Sequence, residues 1–518
     1  MSSLVEGRRL SFSRLGVLLI VVAAIVFASL QGWRWFQDAR ADIPQDSWFA
    51  PYVDVTATPT LQFEQAPSGA GPNTVLAFVV ADPEQRCEPS WGGAYTLDEA
   101  SDQLDLDRRV ARVRQLGGTP IVSFGGQANT ELAVDCPDAL ALYDAYRSVV
   151  TRYELQVIDL DIEGEALQDV DANNRRADAL ARLQGDQDLS VWVTLPVTPD
   201  GLTADGERLV SSLLTAGVDL AGVNAMTMNY GDSLDSDQSM AAASIEALQS
   251  THRQVAQLYE DAGQHLTGSQ VWRRIGATPM LGQNDVAGEV FGLHDAEQLH
   301  EFASEKRLGR ISLWSLNRDR ACSGNYPDVT IVSDSCSGVD QADSAFSTTL
   351  GAALDGAPQA DPTTTSTTTA PSLDPTATPS DDPGKSPYQI WTEDGVYQGG
   401  DRVVWHHNVY SARWWTSGEL PDDPTIGESA SAWLLIGPVL PGETPEPTPT
   451  VPAGTYPEWQ PEIPYDKGAR VRFEKIAYVA LWWSQGDPPD GPSTADSPSP
   501  WRLLTPAEVA AASTTPTG

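Results

Sequence analysis

The stretch VIDLDIEGEAL, Val157–Leu167, alternates three acids, Asp159, Asp161 and Glu163, with Ile158, Leu160 and Ile162. A period of two marks a strand. In a strand the three carboxylates share one face, each about 6.6–6.8 Å from the next. The opposite face is aliphatic and suits packing against helices. A row of acids on what should be the core side therefore needs an explanation. DLDIEG matches the start of a calcium loop, but Leu160 and Ile162 do not suit a solvated loop. The twelfth position is Val170, where a bidentate Glu is required, so no metal is expected. A solvated face does not suit a strand in the middle of a parallel sheet, which is covered on both sides. Buried carboxylates need partners or a shared proton.

The surroundings of this strand suggest where its acids point. Strand-like runs occur at Phe49–Thr56, Thr74–Asp82, Pro120–Gly126, Leu155–Gly164, Leu189–Thr198, Leu220–Gly231, Gly276–Gly282 and Arg310–Leu316. Helical patterns such as LDLDRRVARVRQLG and DALALYDAYRSVVTRYEL lie between most of them. Eight strands with intervening helices in about three hundred residues predict an α/β fold, a (β/α)₈ TIM barrel. A doubly wound open sheet would usually carry a Gly-rich phosphate loop after an early strand, and none is present. In a barrel, acids near the C-terminal end of a strand face the mouth, with Glu163 highest.

The chain has 518 residues, too many for one ordinary domain, and 71 Asp and Glu against 32 Lys and Arg, a formal charge of −39. That balance repels nucleic acid and anionic membrane surfaces but not a neutral polysaccharide. Near the N-terminus, Arg8, Arg9 and Arg14 precede an apolar run from Leu15 to Leu30, with Trp33 and Trp35 after it. Counting Phe12 and Trp33, the run reaches the 17–25 residues or so of a membrane span. The flanking charge predicts a cytoplasmic N-terminus and exported remainder. We expect residues 1–42 to form a cytoplasmic stub and signal anchor; the alternative is secretion after cleavage near Asp38–Ala41. Four cysteines agree with export. Cys322 and Cys336 share one loop-like stretch, so Cys87–Cys136 and Cys322–Cys336 are the preferred pairs among three connectivities. No short Cys or His spacing suggests zinc.

Composition then divides the chain. A Thr/Pro/Ser-rich linker at 355–386 and a Pro-rich one at 439–457 separate a catalytic-type barrel at 43–354 from two small β modules at 387–438 and 458–505.

The acidic strand resembles the D-x-x-D-x-D-x-E strand of glycoside hydrolase family 18, the chitinases. SFGG at Ser123–Gly126 resembles the family's S-x-G-G, MTMNYG at Met226–Gly231 its M-x-Y stretch, and LWSLNRD at Leu313–Asp319 supplies the eighth-strand Trp. TPMLGQND at Thr278–Asp285 resembles actinobacterial-type members. The resemblance implies a retaining, substrate-assisted hydrolase of β-1,4 bonds between N-acetylglucosamine units, needing no cofactor. Glu163 matches the general acid, Asp161 the acid that orients the acetamido group, Asp159 the inner acid sharing a proton with Asp161, and Tyr230 the hydroxyl holding the acetamido group. Trp314 matches the floor under the sugar; Met228, Asn229, Ser123, Gly125, Gly126 and Met280 fall in the substrate-binding stretches. Two departures stand out. Gln156 replaces the first acid, expected to lie deepest, and Asn229 replaces an Asp common in relatives.

Tyr388–Pro421 resembles chitin-binding modules of carbohydrate-binding families 5 and 12, and Tyr465–Pro489 is a divergent repeat of it. The resemblance makes Trp414, Trp415, Tyr410, Trp482 and Trp483 candidate sugar contacts. Strand alternation predicts one Trp of each pair in the core and one exposed. His406 and His407 read as surface strand residues. The chain is thus read as a monomer acting on chitin or a related glycan. The alternative is a surface chitin-binding or adhesion protein whose barrel is weakly active or inactive.

Overall fold

The computed structural model describes residues 47–65, 71–326, 328–341, 345–358, 381–427, 429–445, 450–491, 499–504 and 508–509. The expected signal anchor and most of the first linker lie outside these residues. Among the described residues no helix is long and apolar enough to cross a membrane. The chain divides into two compact units, a larger one drawn from 47–94, Ile121–Val150 and 155–358 and a smaller one that includes the C-terminal sheets.

The larger unit is built on β1 (Trp48–Phe49), β2 (Tyr52–Asp54), β3 (Thr74–Ala81), β4 (Pro120–Gly125), β5 (Val157–Asp161), β6 (Ser190–Thr198), β7 (Leu220–Met226), β8 (Ile275–Thr278) and β9 (Arg310–Ile311). The first predicted strand is split at Ala50–Pro51, where proline has no N–H to give to a ladder. The split lets β1 pair with β9 while β2 pairs with β3, both in parallel. With β9–β8–β7–β6–β5–β4–β3 forming the rest of the path, the sheet closes on itself as a barrel. Its strands read as continuous Val/Ile/Leu/Ala runs because they are buried on both sides, and β4 and β5 are buried along their whole length.

Helices α1 (Ala139–Arg152), α2 (Val170–Asp186), α3 (Ala204–Thr215), α4 (Met240–Asp261) and α5 (Leu293–Lys306) follow successive strands. Three begin where a side chain satisfies an otherwise unpaired N–H. Asp169 accepts from Ala172, Thr203 from Gly206 and Ser239 from Ala242. Disulfides join Cys87 to Cys136 and Cys322 to Cys336, closing two loops of this unit.

In the smaller unit, one sheet contains β10 (Gln389–Ile390), β11 (Arg402–Trp405), β12 (Asn408–Ala412) and β13 (Trp433–Pro438). A second contains β14 (Arg470–Phe473), β15 (Ile476–Ala480) and β16 (Trp501–Leu503). The two share details at a constant offset. The backbone N–H groups of Thr392 and Gln460 each donate to a tyrosine hydroxyl, Tyr397 and Tyr465, at 2.8 Å. The indole N–H groups of Trp433 and Trp501 each donate to a carbonyl, Glu419 and Asp487, at 2.9 Å. Each hairpin turns on two residues with positive φ, His406–His407 and Glu474–Lys475, the geometry of a tight two-residue turn. His406 and His407 are therefore turn residues, not strand residues.

Candidate active site

The register of the barrel decides what faces inward. Asp159 lies opposite Ser123 on β4 and Trp192 on β6; Asp161 lies opposite Gly125 and Thr194. Both acids point into the barrel, Asp159 with no exposure and Asp161 with 7%. Glu163 follows the strand, in extended conformation at the start of a short helix, and is only partly buried. The order expected from the sequence, deep to mouth, is present. The expectation for Gln156 is corrected: β5 starts at Val157, and Gln156 is exposed outside the barrel interior.

The glycines of SFGG make room for this strand. Gly125, at φ 102°, has the Asp161 carbonyl 2.1 Å from where a Cβ would stand, and Gly126, at φ 85°, has the Phe78 ring at 2.8 Å. The Gly126 N–H donates to that same Asp161 carbonyl at 2.8 Å. Neither position tolerates a side chain. Ser123 is fully buried and donates to Asp159 at 2.7 Å. These three residues shape the acidic strand and are absent from the cavity wall, which corrects their reading as substrate contacts.

Above Asp161 opens a cavity of about 290 Å³ lined by Asp161, Glu163, Trp314, Met228, Met280 and Asn229, with further residues around them. Trp314 stacks on Phe78 at 5.3 Å with planes 22° apart, giving the cavity an aromatic wall. Phe78 and Tyr52, both lining residues, lie in predicted strands but carried no motif; inward alternation was the available signal.

Tyr230 is corrected. The chain leaves β7 at Met226, and Asn229 takes a left-handed conformation at φ 53°. The Tyr230 hydroxyl is thereby turned to Ser244 on α4, at 3.2 Å, and Tyr230 does not line the cavity. Asn229 instead braces an acid that sequence reasoning missed. Its amide donates to Asp285 at 2.8 Å, and its carbonyl accepts from the Asp285 backbone N–H at 2.9 Å. Asp285 lines the cavity and faces Glu163 electrostatically. Asp285 thus places a carboxylate against residue 229, and an amide there suits it better than a second carboxylate, which would repel it.

Burial pushes the Asp161 carboxyl well up, and Glu163 and then Asp159 push it further, while Arg310 pulls it down. Glu163 is raised by burial and then by Asp285. Two adjacent carboxyls whose proton affinities are both raised titrate as a pair and not singly. Asp161 Oδ1 is buried, and no group among the described residues hydrogen-bonds to it. A buried acceptor left open at the wall of a cavity is set for a donor arriving with a ligand. Among the described residues no cluster of His, Cys, Asp or Glu could hold a metal ion.

This site stands in a chain with informative relatives. A probable bifunctional chitinase/lysozyme of Escherichia coli K12 is 32% identical over 308 residues, which are 55% of this chain and 33% of that protein. The chain is similar to chitinases. Endochitinase 11 of Metarhizium anisopliae is 32% identical over 309 residues, covering 55% of this chain and 57% of the relative. The chain thus spans a third of the first of these two curated relatives and somewhat over half of the second. In structure, it is similar to the catalytic domain of a hyperthermophilic chitinase from Pyrococcus furiosus, with a TM-score of 0.51, 28% identity, and 59% of this chain and 93% of that one covered. Catalytic-site mutants of active domain 2 of the thermostable Pyrococcus chitinase, complexed with chito-oligosaccharides, match at 27% identity and a TM-score of 0.51, over 59% and 93% of the two chains. No protein-family model matches the chain.

The modules carry their own correction. Trp414, Trp415, Trp482 and Trp483 are all between 42% and 58% exposed, so none is a core residue. The backbone has left the strand at Ala412 and at Ala480, and alternation no longer applies. The first core is made instead by Trp391, Tyr397, Val403, Tyr410, Ala412, Ala432 and Trp433. Tyr410 is therefore a packing residue and not a sugar contact.

Proposed function

We propose that the chain is a chitinase-type glycoside hydrolase that cleaves β-1,4 bonds between N-acetylglucosamine units with retention, assisted by the substrate's acetamido group. The observation that carries this reading is the open Asp161 Oδ1 beside Glu163, whose proton affinity burial raises, in an aromatic-walled cavity. Glu163 donates its proton to the glycosidic oxygen as the acetamido carbonyl oxygen attacks C1. Asp161 accepts the amide N–H and stabilises the positive charge of the oxazolinium-like intermediate. Glu163 then takes a proton from water, which attacks C1 and restores the original anomeric configuration. Trp314 offers its face to the apolar side of the sugar ring. The complex of the Pyrococcus relative with chito-oligosaccharides supports this substrate class.

The four exposed indoles serve as platforms that hold an insoluble polymer, and two weak modules together gain avidity. Two disulfides fit action outside the cytoplasm. The test compares soluble N-acetylglucosamine oligomers with insoluble chitin, for the full chain and for Trp414→Ala/Trp415→Ala. The full chain should release β-anomeric product from both. The double variant should keep its rate on oligomers and lose roughly ten- to a hundredfold in apparent affinity for the polymer. Binding without product would sink the hydrolase reading in favour of a chitin-binding protein.

Asp285 gives a further expected result. Glu163 must be protonated to act, so activity falls as pH rises through its titration. The Asp285 charge raises that titration, and Asp285→Asn should move the alkaline limb of the kcat–pH profile to lower pH. An unmoved limb would show that Asp285 does not act on Glu163.

A further inference from the structure

Asp285 reaches the cavity from an exposed turn, where it meets Asp161 and Glu163 with no Lys, Arg or His among the lining residues described. Two forces draw its carboxylate off the wall. Glu163 repels it, and Arg318, which does not line the cavity, feels its charge and attracts it. An exposed acid stays in such a place when something restrains it. The turn that carries Asp285 joins two short paired strands, Gly282–Gln283 and Val290–Phe291. Its last residue, Glu289, is buried, with 4% exposure, and its carboxylate reaches across to the loop after β7. There Oε2 accepts the Tyr230 N–H at 2.9 Å and Oε1 the Gly231 N–H at 2.6 Å. Both groups stand at the start of a single 3₁₀ turn, Gly231–Ser233, where no helical partner exists. The two loops meet again one residue earlier. The Asn229 N–H donates to Asn284 Oδ1 at 3.3 Å, and the Asn229 side chain holds Asp285 as described above. Glu289 also braces its own turn, its carbonyl accepting from the Asn284 N–H at 3.0 Å and its N–H donating to the Val286 carbonyl at 3.1 Å.

We propose that Glu289 is a positioning residue: by gripping the Tyr230 and Gly231 N–H groups it latches the loop after β7 to the Asp285 turn and so keeps Asp285 at the cavity wall with Glu163. This rests on the hydrolase reading above for its purpose, though not for its geometry. A buried acid whose hydrogen-bond partners are two main-chain N–H groups of another loop is a strong tie between them. It also explains the backbone of Asn229. A left-handed residue persists where its surroundings fix it, and here the next two N–H groups are both held by Glu289. Released, Asn229 would lose the conformation from which its amide meets Asp285. The charged and titratable groups facing Glu163 are Asp161 on β5 and Asp285. Those facing Asp285 are Glu163 and Arg318, and Glu289 faces Tyr230. Asp285 is the charge from outside β5 that acts on Glu163, so an effect of Glu289 there runs through Asp285.

The test follows Glu163 and needs no turnover. In the full chain carrying ¹³C at its glutamate carboxyls, the Glu163 signal is assigned by its loss in Glu163→Gln. Its titration should move to lower pH in Asp285→Asn, since a neighbouring charge is gone. Glu289→Gln keeps the volume but sets an amide NH₂ against one of the two N–H groups. The latch then opens, and the titration should move in the same direction. In Glu289→Gln/Asp285→Asn it should move no further than in Asp285→Asn alone, because the two residues act in series. The alkaline limb of the kcat–pH profile should follow the same pattern. A purely structural role would lower the rate and leave the Glu163 titration in place. An unmoved titration in either single variant overturns the proposal, as does a double variant whose shift is the sum of the two. If Glu289→Gln does not fold, amide exchange in the unaltered chain decides. The Tyr230 and Gly231 N–H groups should exchange as slowly as those of β7, and exchange at the rate of an open loop overturns the latch. Failure of the hydrolase reading shows separately, as absence of product from the unaltered chain.

Discussion

Glu163→Gln should reduce hydrolysis of N-acetylglucosamine oligomers by about a hundred- to ten-thousandfold, the usual contribution of a positioned general acid. The amide keeps the volume and the extended conformation at the start of the short helix, so folding should be unchanged. It removes the only proton that the proposal delivers to the leaving oxygen. Oligomer binding should survive, because Trp314, Met228 and Met280 still line the cavity. The loss should therefore appear in kcat with KM little changed. Full activity in the variant would remove Glu163 from the acid's place while leaving the chitinase reading to be judged on its products.

Asp161→Asn should be nearly as severe, about a hundred- to thousandfold in kcat, for a different reason. Its carboxylate meets positive charge that develops as the acetamido oxygen closes on C1, and an amide offers only a dipole. The change also touches Glu163, since Glu163 raises the proton affinity of Asp161 and two adjacent acids are titrated as a pair. Removing the neighbouring charge lowers the proton affinity of Glu163, so the residual activity should fall off at a lower pH than in the parent. The two effects separate in a kcat–pH profile: the plateau measures the lost stabilisation, the limb the lost coupling. A plateau within a few fold of the parent would exclude Asp161 from the reacting centre.

Much of the barrel is legible because parallel strands buried on both faces announce themselves as aliphatic runs. The acids of β5 are legible for a related reason: charge has no place on such a strand without a task. What escaped depends on where the chain stops being regular. The motif misplaces Tyr230 because β7 ends at Met226 and a left-handed Asn229 then turns the following side chain away. It misplaces Gln156 because β5 begins one residue later than the motif suggests. The tryptophan pairs fall just past the last strand residue, where alternation no longer orders the faces. Arg310 carries no motif, and Asp285 ends the TPMLGQND stretch with nothing in the sequence to mark its place beside Glu163. Arg310 stands 151 residues from Asp159, and only the closing of the ring brings them together.

The four donors around Asp159 come from β2, β4, β6 and β9, and Asp159 itself stands on β5. One carboxylate thus stitches together strands from the very start, middle and end of the barrel sequence. No half-barrel can satisfy it, since a fragment ending before β9 lacks the guanidinium and one starting after β2 lacks the phenol. The reacting centre and the finished ring therefore come into being in the same cooperative event, and a partly folded chain carries no partly active site.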